Sequence, residues 1–134
     1  MTPAEMAAAL EDTGRYRVFD VYRQTDGYGD LPPDATVCRL LYVDTETTGL
    51  EHDAEIIELA AVQVEYDPST GRLGRILAAR SWLEQPAGGA EVPAEVTALT
   101  GITTDMVAGQ RIDDAAVLDL LAASNLVVSH NASF

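Results

Sequence analysis

The chain has 134 residues, 47% hydrophobic and 22% charged, which suits one soluble globular domain with a buried core and excludes a disordered or fibrous chain. Its formal charge of −14 argues against holding phosphates by bulk electrostatics, so a nucleic-acid contact must bring its cations locally, as metal ions or a small basic patch. A single cysteine, Cys38, rules out an intrachain disulfide and a cysteine-built metal site. No apolar run reaches membrane-spanning length, and MTPAEMAAALEDTGRY has acids where a signal peptide has basic residues, so a cytoplasmic protein without a membrane partner is expected.

Residues 1–36 read as an N-terminal extension: a short helix over 4–12, a strand at YRVFDVY, and a turn-rich linker, QTDGYGDLPPD, ending at Asp34. The main domain occupies 37–134. CRLLYVDTE is a dense apolar run expected to form a buried strand. EIIELAAVQVEYD is the second strand, with Ile57, Leu59, Ala61 and Gln63 on one face and Glu58, Ala60 and Val62 on the other. PSTGRLG is a turn, and RILAARSWLEQP a third strand, antiparallel to the second.

Two short helices follow, PAEVTAL closed by Thr100 and Gly101, and TDMVAG closed by Gly109, with Thr103 or Thr104 as an N-cap. DDAAVLDLLAAS is a longer helix whose apolar stripe, Ala116, Val117 or Leu118, Leu120 and Leu121, should face the sheet. NLVVSHNASF begins as another buried strand and breaks between Ser129 and His130. The order β-β-β-α-α-α-β predicts an α/β fold: three antiparallel strands, a helical crossover, and a strand returning parallel to the first.

The stretch LLYVDTETTGL carries the chemistry. Side chains two apart on a strand share a face, about 7 Å apart at the Cα, so Asp44 and Glu46 aim together from a strand end while Thr45 points away. Paired carboxylates favour a cation between them, and hard oxygen ligands at this spacing suit Mg²⁺ or Mn²⁺. Two such ions about 4 Å apart can activate a water and steady the leaving oxygen of a phosphodiester. Gly49 permits a tight turn and close backbone approach, and Thr47 and Thr48 offer donors to a terminal hydroxyl or phosphate. Spacing alone fits equally well a strand end with solvated acids and a Ser/Thr turn.

VDTETTGL followed by EIIELAAVQV resembles the first motif of the DnaQ-like, or DEDD, 3′-to-5′ exonucleases. SHNASF resembles the start of their second motif, and VPAEVTALTGIT lies between the two as in the polymerase III epsilon proofreading branch. The resemblance covers roughly residues 37–134 and implies a ribonuclease H-like fold and two-metal removal of nucleotides from a single-stranded 3′ end, DNA rather than RNA. It implies Asp44 and Glu46 as metal-binding acids and Thr47, Thr48, Gly49 and Leu50 around the 3′-terminal nucleotide, with Leu50 against the base. Phe134 corresponds to an aromatic that touches the same nucleotide. His130 and Asn131 are implied to shape and brace the site. A polymerase or another replication or repair protein is an implied partner.

In that family an aspartate follows the second motif's phenylalanine, and a third motif supplies a fourth acid with a histidine or tyrosine. Measured against the pattern, the sequence reads as the N-terminal part of an exonuclease, expected to bind metal weakly and to be inactive alone. A non-catalytic binding module of the same fold and a 3′-to-5′ exoribonuclease are the alternatives. Of the other residues, His52 reads as a surface-loop residue and Trp82 and Tyr66 as core or strand-surface aromatics. Glu58 either supports the metal site from the neighbouring strand or lies on a solvated edge.

Overall fold

The computed structural model describes residues 1–19 and 27–130. Asn131 and Phe134 therefore lie outside the described residues, as does part of the strand expected at YRVFDVY. The described part of that stretch, residues 16–19, has no regular secondary structure.

Helix α1, Pro3–Glu11, starts with a reciprocal cap: the Thr2 hydroxyl accepts from the Glu5 N–H, and the Glu5 carboxylate accepts from the Thr2 N–H at 2.6 Å. Pro3 at the first helical position needs no hydrogen-bond donor. No residue of α1 is buried, so its capping and composition, rather than packing, support it.

Among the described residues the sheet has four strands in the order β3-β2-β1-β4. Strands β1, Cys38–Thr47, β2, Ile56–Asp67, and β3, Arg72–Leu83, pair antiparallel, and β4, Leu126–Ser129, lies parallel to β1. The mixed sheet expected from the element order is the one found.

β3 begins three residues earlier than the sequence pattern suggested, because the turn is shorter. The Asp67 carboxylate accepts from the Ser69 N–H at 2.9 Å, the Ser69 hydroxyl at 2.7 Å and the Thr70 hydroxyl at 3.0 Å. Gly71, at φ 72, closes the turn on the Asp67 carbonyl at 2.7 Å. Arg72 is then free to pair directly with Asp67 in the ladder.

Alternation on β2 follows the pattern: Ile57, Leu59, Ala61 and Gln63 are all buried. The core gathers at the start of that strand, where Ile57 packs with Val92, Ile102 and Val107, and Leu83 and Val96 lie against them. Val92 and Ile102 flank α2, Ala94–Thr100, and Val107 ends α3, Thr104–Val107. Gly101, at φ 79, caps α2, and the Thr103 hydroxyl caps α3 by accepting from the Met106 N–H.

Helix α4, Asp114–Ala122, is capped by Asp113. Val117, Leu120 and Leu121 line an apolar gap of about 200 Å³ with Leu41, Val43, Leu59 and Ala61, so the expected stripe faces the sheet; Leu118, 63% exposed, points away. The buried Gln63 spans the gap, its amide donating to the Ser124 hydroxyl at 2.8 Å and the Leu120 carbonyl at 3.3 Å.

Two strands expected to be buried are less so. On β1 only Leu40 and Leu41 are buried, and every residue of β4 is exposed. β1 is central in strand order, but towards Asp44 a helix covers only one of its faces among the described residues. Among the described residues β4 is an edge strand, with β1 as its one neighbour.

The N-terminal segment also touches the sheet. Gly27 forms an antiparallel bridge with Arg75 on β3, and the Tyr28 N–H donates to the Gly74 carbonyl at 3.0 Å.

Candidate active site

Period two along β1 puts Tyr42, Asp44 and Glu46 on the sheet face opposite α4. Antiparallel register aligns Tyr42 with Val62, Asp44 with Ala60, and Glu46 with Glu58. Pairing then shifts, Thr47 facing Ile56, so Ile57 is the extra residue of a bulge beside the acids. With Ile57 anchored in the core at 0% exposure, that bulge fixes where β1 leaves the sheet.

On the other side of β1, the Asn125 N–H donates to the Arg39 carbonyl and the Asn125 Oδ1 accepts the Arg39 N–H, both at 2.8 Å. This clasp starts the parallel register Leu40 with Leu126 through Val43 with Ser129. It delivers His130 to an open groove of about 330 Å³ that Tyr42, Val43, Asp44, Ala60, Val62, Val128 and Ser129 also line. Among the described residues no helix contributes to this groove's lining.

Asp44 is exposed and Glu46 half-buried. Among the described residues neither carboxylate accepts a hydrogen bond or pairs with an arginine; the guanidinium of Arg75 engages Glu65 and Asp30, and that of Arg111 engages Glu84. Two unpartnered hard oxygen donors on one face suit a divalent cation. No group of three or more His, Cys, Asp or Glu is arranged to hold an ion among the described residues.

The loop after β1 is pinned at its base. The Thr48 N–H donates to the Glu55 carbonyl and the Glu55 N–H to the Thr48 hydroxyl, each at 2.9 Å, while the Glu55 carboxylate accepts from the Ala87 N–H at 2.9 Å. Leu50, 86% exposed, projects from the loop with no packing role. The Thr47 hydroxyl donates to the Gly49 carbonyl at 2.6 Å, so that donor is already engaged within the loop. The Thr48 hydroxyl, acting as acceptor, keeps its proton to donate.

The expectation that Gly49 serves a tight turn needs correction. Its φ is not in the left-handed region, and a Cβ there would meet nothing within 4 Å. Among the described residues nothing in the backbone or its surroundings requires glycine at this position.

The structure thus brings Asp44 and Glu46 to one face and His130 to the same groove as Asp44. Thr47 ends β1, and Thr48, Gly49 and Leu50 follow it in the adjoining loop. His52 is exposed in that loop, as expected. Sequence reading missed Tyr42 and Val128 as groove residues. Tyr42 could have been found by counting back two from Asp44, whereas Val128 depends on a register between strands distant in sequence.

Residues 41–134 match the family model RNase_T, described as exonuclease. Among curated protein sequences none matches the chain. Solved structures share its fold. E. coli exonuclease I in complex with a dT13 oligonucleotide is similar at 19% identity and TM-score 0.53, over 70% of this chain and 20% of that one. Exonuclease I from Methylocaldum szegediense is similar at 21% identity and TM-score 0.52, over 70% of this chain and 20% of that one. A 3′-exonuclease that recognises the histone mRNA stem-loop is similar at 17% identity and TM-score 0.54, over 74% of this chain and 38% of that one. The chain thus spans well under two thirds of each neighbour, and its mixed sheet is the ribonuclease H-like one of these exonucleases.

Proposed function

The chain belongs to the RNase_T exonuclease family, and from that membership we propose that it forms the first-motif side of a 3′-to-5′ exonuclease site acting on single-stranded nucleic acid. The observation that carries this reading is the pair Asp44 and Glu46, unpartnered among the described residues, on the open sheet face beside a pinned loop that displays Leu50. Asp44 and Glu46 would hold Mg²⁺ or Mn²⁺, which when bound activates water and offsets charge at a phosphodiester. These ions also answer the charge of −14, which makes bulk attraction of phosphates unfavourable.

Thr48 donates its remaining hydroxyl proton to the 3′-terminal nucleotide, Gly49 lets that nucleotide approach the backbone, and Leu50 packs against its base. Thr47 supports the loop through Gly49. His130 braces the groove, and the likeness of SHNASF to the family's second motif supports a site-shaping role for Asn131 and a contact of Phe134 with the terminal nucleotide. DNA is favoured as substrate by the likeness of DTETTG and SHNASF to the proofreading branch, and by a neighbour bound to dT13. The same likeness supports a polymerase or another replication or repair protein as partner. RNA is the second reading, favoured by the neighbour that recognises an mRNA stem-loop.

The test compares wild type and Asp44→Asn, in the protein as its own gene encodes it, on 5′-labelled DNA and RNA oligonucleotides of one sequence. Wild type should yield a ladder shortened from the 3′ end in Mg²⁺ or Mn²⁺, and Asp44→Asn should yield none while melting as wild type does. Full activity in Asp44→Asn overturns the site assignment, and the faster ladder decides between DNA and RNA.

A further inference from the structure

Glu58 sits directly opposite Glu46 in the antiparallel ladder, so the two side chains rise from the same face with Cβ atoms about 4.5–5.5 Å apart. The strand cannot turn it elsewhere, since Ile57 and Leu59 on either side are buried at 0% and 9% exposure. Its carboxylate is oriented by β3: the Ser81 hydroxyl donates to Glu58 Oε1 at 2.5 Å, a charge-assisted bond. Like charges directly opposite weaken a sheet, and among the described residues no arginine pairs with either carboxylate. A cation between the two carboxylates would offset that cost.

We propose that Glu58, fixed opposite Glu46 by Ser81, is a positioning residue of the exonuclease site, holding Glu46 against a divalent cation and deepening the negative potential there. This rests on the reading of Asp44 and Glu46 as metal-binding acids. Glu58 acts through Glu46 and the local field, as an outer partner that orients a ligand does. Gln at this position keeps the volume and still accepts a hydrogen bond from Ser81, so Glu58→Gln removes the charge and, with it, the charge assistance of that bond.

The test measures Mn²⁺ binding by calorimetry, and melting temperature in EDTA, for wild type, Asp44→Asn and Glu58→Gln, in the protein as its own gene encodes it. Glu58→Gln should stay folded in EDTA and should bind Mn²⁺ about 10-fold or more weakly. If Asp44→Asn abolishes binding while Glu58→Gln binds as wild type, Glu58 is only a structural acceptor for Ser81 and this inference alone fails. If wild type binds no Mn²⁺, or Asp44→Asn binds as wild type does, the metal-site reading fails and this inference with it.

Discussion

Asn125 and Arg39 exchange two hydrogen bonds of 2.8 Å, one from the Asn125 backbone and one to its side chain, and this clasp sets the register that carries His130 to the Asp44 groove. Asn125→Ala removes the side-chain half. It should cost about 0.5–1.5 kcal/mol in urea unfolding. Activity should fall as β4 loosens. Asn125→Asp, which still accepts the Arg39 N–H, should recover most of both, and equal losses in the two variants would show that the clasp does not set the register.

Gly49 and Leu50 should separate function from stability. Leu50 is 86% exposed and a Cβ on Gly49 meets nothing within 4 Å, so Gly49→Ala and Leu50→Ala should each change stability by under about 0.5 kcal/mol. Both should raise KM for an oligonucleotide more than they lower kcat, since the proposed contacts are made to bound substrate. Unchanged steady-state kinetics in both variants would remove the loop from the substrate site.

The N-terminal segment meets β3 through two glycines. A Cβ on Gly27, at φ +141, would lie 2.9 Å from both the Arg75 Cα and the Ile76 nitrogen, and one on Gly74 would lie 2.9 Å from Leu31 Cγ. Gly27→Ala should destabilise the protein by roughly 1–3 kcal/mol or release the segment. Denaturant unfolding reads the first outcome and faster proteolysis within residues 27–36 the second. By contrast Gly14, at φ +67 with nothing within 4 Å, carries the backbone cost alone, and Gly14→Ala should cost about 1 kcal/mol.

Asp67 gives the protein an acid limb. The Ser69 hydroxyl first, and then the Ser69 N–H, hold its carboxyl below the usual carboxylate range. A group whose folded pKa is depressed contributes stability above its unfolded value, about 3.9, that is lost as pH falls through the folded value. Urea midpoints at pH 7, 4 and 3 should fall more steeply for wild type than for Asp67→Asn. Parallel curves would mean that the turn does not depend on the Asp67 charge.

Much of the order of elements was legible locally. Period-two burial on β2 and the caps at Gly101 and Thr103 each depend on a few neighbouring residues, and each was found where short-range chemistry put it. Errors arose where burial depends on what lies above a strand. LVVS reads as buried by composition, yet it stands exposed at the sheet edge, because apolar side chains are buried only where another element covers them.

The sequence by itself determined the chemistry available: two acids two apart at a strand end, a following loop of threonines and glycine, and a second motif beginning at Ser129. Strand alternation alone places Asp44 and Glu46 on one face, because the backbone period is two. Only the tertiary structure decided that Glu58 lies opposite Glu46, that Ser81 holds it, and that His130 reaches the Asp44 groove. Those relations are set by pairing register and by a bulge at Ile57, through contacts between residues far apart in the chain, which no local pattern encodes.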